Sequence, residues 1–110
     1  MLPRKSIVPL KKEFSRIRKE GKIYDSDSFG LMVAFGQGPK AAFIVSKKID
    51  KRSVVRHAVK RKLSDTVSPF LSRMAKNVEL VFLAKQKAIK ISKEELKKEL
   101  ETVLKRARLL

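Results

Sequence analysis

The sequence has no cysteine, no tryptophan, a single histidine and only 11 acidic residues among 110. Without cysteine the chain cannot form disulfides or cysteine-bearing zinc sites, and it suits a reducing compartment, so we expect a cytoplasmic protein. No apolar run approaches the ~20 residues that span a bilayer. The opening stretch MLPRKSIVPLKKEF also lacks the apolar centre of a secretory signal. We therefore expect neither a disulfide scaffold nor a membrane-spanning protein.

Positive charge is what the chain has in excess. It contains 28 Lys and Arg, which give a formal net charge of +17. Hydrophobic residues make up 43% of the sequence, enough for a core, and the length predicts one domain spanning residues 1–110. A small fold with this charge repels itself unless a polyanion screens it. Nucleic acid is the first candidate partner, because neutralised phosphates release counterions, and an anionic membrane surface is the rival.

The hydrophobic pattern predicts seven elements in the order αβββαβα. Residues 29–35 alternate between large and small side chains, which is typical of a half-buried strand with Phe35 on its core face. Residues 68–77 are expected to connect the second helix to the last strand, either as a loop or as a short helix with Pro69 in its first turn. The predicted fold is α+β, a mixed four-stranded sheet packed with three helices. The predicted helices cover 9–20, 51–67 and the stretch after the capping box Ser92/Glu95, and the strands cover 22–25, 29–35, 41–46 and 78–84.

One face of the predicted sheet carries mostly small side chains. This face is either covered by a packed helix or left open as a shallow floor on which a flat partner could lie, and spacing alone does not decide between the two. The residues that share it are Gly30, Met32, Ala34, Ala42, Ile44 and Ser46.

Catalytic chemistry is poorly supplied. The one histidine, His57, lies among cations, which makes it a weak and unoriented base. Asp25 and Asp27 could hold a divalent ion, although turn formation is the commoner use of Asp at such positions. Phosphate-binding glycine loops and Ser/His/Asp spacings are missing. We therefore predict no catalytic residue and no metal ligand in this chain.

The stretch KKIDKRSVVRHAVKRK, residues 47–62, contains eight Lys and Arg and one acid. On a helix Val55, Val59 and Leu63 form one ridge, which predicts the buried side of the helix. The Lys and Arg side chains occupy a neighbouring arc. Ordinary surface helices mix both signs of charge. An arc of Lys and Arg beside a small-residue sheet face can instead follow the sugar–phosphate backbone of a single nucleic-acid strand. The nucleobases of that strand can then lie on the sheet face.

The longer stretch VSKKIDKRSVVRHAVKRKL resembles the protein subunit of bacterial ribonuclease P. That family has Ser-Lys-Lys at a strand end, then a helix with Arg-Asn-Arg followed two positions on by Lys-Arg. The early LKKEFSRIRKEG is similar to the family's first helix, and length, order and charge also agree. The resemblance implies a basic crossover helix in a fold type also known from a ribosomal protein domain. The matching residues here are Ser46, Lys47, Lys48, Arg56, His57, Ala58, Lys60 and Arg61.

The resemblance implies a binding role within a ribonucleoprotein. In this family a large RNA with bound Mg²⁺ removes the 5′ leader of precursor tRNA, and one protein per RNA is expected. The residues implied to contact the catalytic RNA are Arg52, Arg56, His57, Lys60 and Arg61. Those implied to form the leader-binding cleft are Phe14, Arg18, Met32, Ile44, Ser46, Lys47, Lys48 and Lys51.

Several positions depart from the family pattern. His57 replaces the usual Asn, and Ala58 replaces the usual second Arg. The second difference removes one guanidinium group that could bind phosphate through two hydrogen bonds. Arg18 and Met32 lie where aromatic residues are common. At Arg18 a phosphate contact or guanidinium stacking can replace base stacking, so leader recognition can be either weaker or differently tuned. Three alternatives stay open: a ribosomal or other structural RNA-binding protein, a self-sufficient nuclease that uses His57, and a peripheral membrane protein.

Overall fold

The computed structural model describes residues 6–74 and 77–110. The predicted order αβββαβα is confirmed, with one short 3₁₀ helix, Gln86–Ile89, that the pattern did not indicate. None of the helices in these ranges is both long and apolar enough to cross a membrane. The elements are α1 (Leu10–Glu20), β1 (Lys22–Asp25), β2 (Phe29–Phe35), β3 (Lys40–Ile44), α2 (Ser53–Leu71), β4 (Val78–Ala84) and α3 (Lys93–Arg106).

The four strands form one mixed sheet in the order β1-β2-β4-β3. β2 pairs antiparallel with both β1 and β4, whereas β3 runs parallel to β4. The parallel pair requires a crossover connection, which α2 supplies. The last strand in the chain therefore lies in the interior of the sheet, and β1 and β3 form its edges.

Helices cover both faces of this sheet. α2 and α3 pack on the face that carries Phe29, Leu31 and Phe82, while α1 packs on the small-residue face through Ile17. The prediction of a half-buried β2 is therefore wrong, because Met32 on the second face is only 5% exposed. Phe35 was predicted to be in the core but is 56% exposed, because it is the last residue of β2 and lies at the rim of the sheet.

Two features fix α1 on the sheet. Gly21 ends the helix as predicted, and a Cβ there would lie 2.5 Å from the Ile17 carbonyl oxygen and 2.9 Å from that of Val33, so only glycine permits this close approach. Arg16 reaches across to Glu79, a buried acid on β4, and hydrogen-bonds its carboxylate. A buried charge needs such a partner, so this pair anchors α1.

The crossover helix differs from its predicted limits of 51–67. It begins at Ser53 and continues to Leu71, with Pro69 inside its last turn, so the predicted connector over 68–77 is wrong in its first part. Phe70 and Leu71 are buried in the core, and this packing extends the helix despite the N–H that proline lacks. Lys62 lies along α2 and its Nζ donates to three backbone carbonyls, those of Ala88, Ile89 and Ile91.

α3 follows its prediction closely. The hydroxyl of Ser92 accepts a hydrogen bond from the Glu95 N–H at 3.2 Å, which caps the helix start. Further along, the Glu99 carboxylate accepts hydrogen bonds from the hydroxyls of Ser26 and Ser28. These bonds tie the β1–β2 turn to α3 and hold one end of the sheet.

Candidate nucleic-acid interface

The turn after β3 presents the first group of predicted binding residues. β3 ends at Ile44 and not at Ser46 as predicted, and its last pairing is with Leu83 of β4. Ser46 instead begins a turn in which its hydroxyl accepts from the Lys48 N–H at 3.2 Å and its carbonyl accepts from the Ile49 N–H at 3.1 Å. Lys47 and Lys48 are therefore exposed on a turn, next to the start of α2.

An acid organises the loop that leads into α2. The Asp50 carboxylate accepts from Nε and Nη2 of Arg52 at 3.0 and 2.9 Å, and from the Arg52 backbone N–H at 2.8 Å. The side-chain bonds from Arg52 are the main reason that the pKa of Asp50 falls to about 2. Arg56 Nη1 donates to the carbonyl oxygens of Asp50 and Lys51 at 3.0 and 2.8 Å. Two of the predicted RNA contacts therefore also brace this loop, a role that the sequence analysis missed.

The outer side of α2 carries the remaining predicted contacts to the catalytic RNA. His57, Lys60 and Arg61 are exposed, while Val59 and Leu63 are buried as the helix ridge predicted. Within the ranges that the structure describes, none of these three side chains forms an ion pair or a hydrogen bond with the protein. We call these three residues the α2 arc. It presents positive charge that is available to an external anion.

The predicted leader residues divide between α1, the sheet and the turn. Phe14 is half-buried on the sheet-facing side of α1, and Arg18 follows it one helical turn later and is exposed. Ile44 is half-buried at the end of β3, whereas Met32 is buried on the same face beneath α1. Lys51 is exposed before α2. Phe14, Arg18 and Ile44 can reach a ligand on this face, and Met32 offers little free surface.

One residue on the α1 face of the sheet was not predicted from the sequence. Leu83 on β4 pairs with Gly30 of β2 on one side and with Ile44 of β3 on the other, so the three lie in a row across the sheet. All three are only half-buried, and they form the part of the α1 face that the helix leaves open. The alternation of β4 could have indicated Leu83, but only the strand register places it between those two neighbours. We call Gly30, Ile44 and Leu83 the sheet floor.

A groove connects the two surfaces. It has a volume of about 290 Å³ and lies between the end of β3 and the first turns of α2. Ile44 of the sheet floor was predicted to contact the leader, whereas His57 and Lys60 of the α2 arc were predicted to contact the catalytic RNA. The groove therefore brings together residues predicted to bind two different RNAs. The groove is lined by Phe43, Ile44, Val45, Arg56, His57 and Lys60.

Several acidic residues form ion pairs with Lys or Arg. Within residues 6–74 and 77–110, no three His, Asp or Glu side chains are grouped as metal ligands. Asp25 pairs with Lys85, Asp27 with Lys87, and Asp50 with Arg52. These Lys and Arg side chains neutralise carboxylates that could otherwise bind a divalent cation. We derive no step of the chemistry from a metal held by this chain.

Comparison with known proteins identifies the family. A family model described as Ribonuclease P matches residues 2–108 of the chain. A ribonuclease P protein component from Caldanaerobacter subterraneus subsp. tengcongensis is 34% identical over 108 residues, covering 94% of this chain and 91% of the relative. The chain belongs to the ribonuclease P protein family. The resemblance seen in the sequence is thereby confirmed.

Two further relatives support this membership. The ribonuclease P protein component of Pseudanabaena sp. is 26% identical over 113 residues, which cover 100% of this chain and 97% of the relative. The solved structure of the Staphylococcus aureus RNase P protein superimposes with a TM-score of 0.80 at 22% identity, covering 94% of this chain and 96% of that one. The fold is therefore that of ribonuclease P proteins.

Proposed function

We propose that this protein is the RNA-binding subunit of a bacterial ribonuclease P and promotes removal of the 5′ leader from precursor tRNA. The observation that carries the proposal is the groove in which Ile44 of the sheet floor meets His57 and Lys60 of the α2 arc. Within this family's fold, that arrangement suits a protein that holds two RNA segments side by side. Catalysis belongs to the RNA subunit and its Mg²⁺ ions, and the chain supplies binding.

The α2 arc supports the contact with the catalytic RNA. Lys60 and Arg61 offer ammonium and guanidinium donors to phosphate oxygens, and His57 lies between them and the braced loop. The Asp50–Arg52 pair and the two bonds from Arg56 fix the loop before α2, so Lys47, Lys48 and Lys51 project from a backbone that is already ordered. Less conformational entropy is then lost when RNA binds.

The sheet floor supports the contact with the leader. A single strand needs an apolar surface for its bases and cations for its phosphates. Phe14 supplies one aromatic ring beside the aliphatic surface of Ile44 and Leu83, and the exposed Arg18 lies at the border. Because Phe14 is the one aromatic residue among the described residues predicted for the cleft, we expect leader binding with little base preference.

The test is cleavage of precursor tRNA by a bacterial ribonuclease P RNA at low magnesium, with and without this protein. We expect stimulation, because cations from the protein replace those that the RNA otherwise needs around its phosphates. Reversing the charge of Lys60 and Arg61 together should abolish the stimulation at low magnesium, and high magnesium should restore cleavage. If the wild-type protein binds RNA but never stimulates cleavage, the proposed function is wrong and a structural RNA-binding role replaces it.

A further inference from the structure

A larger groove runs along the free edge of β3, away from the sheet floor. Its volume is about 460 Å³, within the range of about 300–1,000 Å³ that is usual for small-ligand pockets. Residues 7–12 form one wall, residues 41–43 form the floor, and Lys60 and Ser64 of α2 form the other wall. We call this the edge groove. β3 is an edge strand of the four-stranded sheet, and its outer edge is met by the segment at Ile7 and Val8.

Backbone hydrogen bonds hold the first wall of the edge groove in place. Ile7 forms a parallel bridge with Ala41, and the Val8 N–H donates to the Ala41 carbonyl oxygen at 3.0 Å. The Val8 side chain is buried in the core beneath α1, while Ile7 is 44% exposed. The wall is thus part of the folded structure, and a ligand would not have to order it on binding.

The chemistry of the edge groove is apolar at the floor and cationic at the rim. Phe43 lies in the floor but is only 8% exposed, because its ring stacks on Phe82 in the core with centroids 5.4 Å apart. The accessible apolar surface therefore lies on the wall, where Ile7 is 44% exposed. Lys11, Lys12 and Lys60 lie at the rim, all exposed, and they form no ion pair in the described part of the chain. Among the described residues that line the groove, none is acidic. An apolar slot between cations is complementary to a nucleobase flanked by its phosphates.

We propose that the edge groove binds an unpaired nucleotide of the catalytic RNA, with the base against the exposed side chain of Ile7 and the neighbouring phosphates on Lys12 and Lys60. The proposal rests on the proposed function, in which the catalytic RNA follows the α2 arc. Lys60 belongs to both the arc and the groove rim, so an RNA strand on the arc is adjacent to the groove. The sheet floor proposed for the leader extends the other way, from Ile44 to Leu83 and Gly30.

The first test is binding of the intact protein to the catalytic RNA alone, without precursor tRNA. We expect Lys12→Glu to weaken this binding about tenfold at moderate salt and to reduce the salt dependence of the binding constant. Ile7→Ala should weaken it several-fold with no change in salt dependence, since only apolar surface is removed. Lys97→Glu is the matched control, because Lys97 is an exposed lysine on α3 outside the groove. It should bind within about twofold of wild type.

The second test uses the absence of cysteine from the sequence. A single Lys12→Cys protein can carry a photocrosslinker at one defined position, and we expect crosslinks to an unpaired segment of the catalytic RNA in the holoenzyme. A Lys97→Cys protein should give none there. Circular dichroism and thermal unfolding would establish that each variant is folded.

The outcomes separate the groove from the proposed function. If Arg61→Glu weakens binding while Lys12→Glu and Ile7→Ala bind normally, the edge groove is not used and the proposed interface stands. If all three bind normally, the α2 interface itself is wrong. The edge-groove proposal is also overturned if Lys97→Glu weakens binding as much as Lys12→Glu, or if the crosslinks form only with the leader.

Discussion

Arg16 on α1 hydrogen-bonds through Nη2 to the carboxylate of Glu79 on β4, and this pair joins the first helix to the central strand of the sheet. The same guanidinium donates to the carboxylates of Glu13 and Glu20 and to the Phe35 carbonyl oxygen. Its bonds with Glu13 and then Glu79 raise the pKa of Arg16 above its usual range. Because α1 carries Phe14, this contact helps to position one border of the proposed leader cleft.

We expect Arg16→Met to lower the free energy of unfolding, because it leaves the buried Glu79 carboxylate without its cation. Urea unfolding followed by circular dichroism would measure this. The double variant Arg16→Met/Glu79→Leu should recover much of the loss, since an apolar pair avoids the buried charge. If the double variant is less stable than Arg16→Met, the desolvated carboxylate is not the cause.

Phe14→Ala should weaken holoenzyme binding to precursor tRNA about tenfold, the typical effect of losing one stacked base. Binding to mature tRNA should change little, because that RNA has no leader to lie on the sheet floor. Equilibrium binding of both RNAs would test this, with Phe35→Ala as the control for an exposed phenylalanine outside the cleft. Equal losses for the two RNAs would contradict a leader contact.

Ala58→Arg should strengthen binding to the catalytic RNA about three- to tenfold by restoring the guanidinium that the family usually has there. Ala58 is exposed on α2, so the longer side chain meets no packing obstacle. The slope of log K against log salt should steepen by about 0.7–0.9, as expected for one added phosphate contact. Ala58→Lys separates charge from geometry, and an equal gain from lysine would show that the guanidinium fork is unimportant.

Arg52→Ala should raise the pKa of Asp50 from about 2 toward its ordinary value of 3.8, because Arg52 supplies the main hydrogen bonds to the carboxylate. The pKa is lowered in the folded state, so the pair stabilises the fold above about pH 4. That contribution is lost as the pH falls toward 2. Carboxyl NMR titration would measure the shift. Lys51→Ala is the control, since the Lys51 side chain does not bond to Asp50, and an unchanged Asp50 midpoint in Arg52→Ala would disprove the pairing.

Local patterns were sufficient to predict the order of elements and most of the charged surface. The spacing of Leu10, Phe14 and Ile17 indicated α1, and the ridge Val59–Leu63 indicated the buried side of α2. Both rest on periodicities that short-range geometry imposes. The exposure of the basic residues could also be predicted from the sequence, because Lys and Arg side chains without an acidic residue nearby in sequence remain at the surface.

What the sequence did not predict depends on contacts between distant residues. The pairing of β3 with β4 stops at Ile44 and Leu83, and the extension of α2 past Pro69 is set by burial of Phe70 and Leu71. Leu83 joins the proposed cleft only through its register with Gly30 and Ile44. A single sequence contains no signal for strand register beyond hydrophobic alternation.

The position of β4 has a consequence for how the chain assembles. β2 and β3 are made before α2, yet they do not pair with each other and leave a gap that only Val78–Ala84 fills. The sheet therefore cannot reach its native pairing until the ribosome has synthesised β4. Such non-local pairing slows folding, and it means that the basic α2 emerges while the surface it packs against is still incomplete. RNA that meets the nascent chain at this stage would encounter the charge of α2 before the sheet beneath it exists.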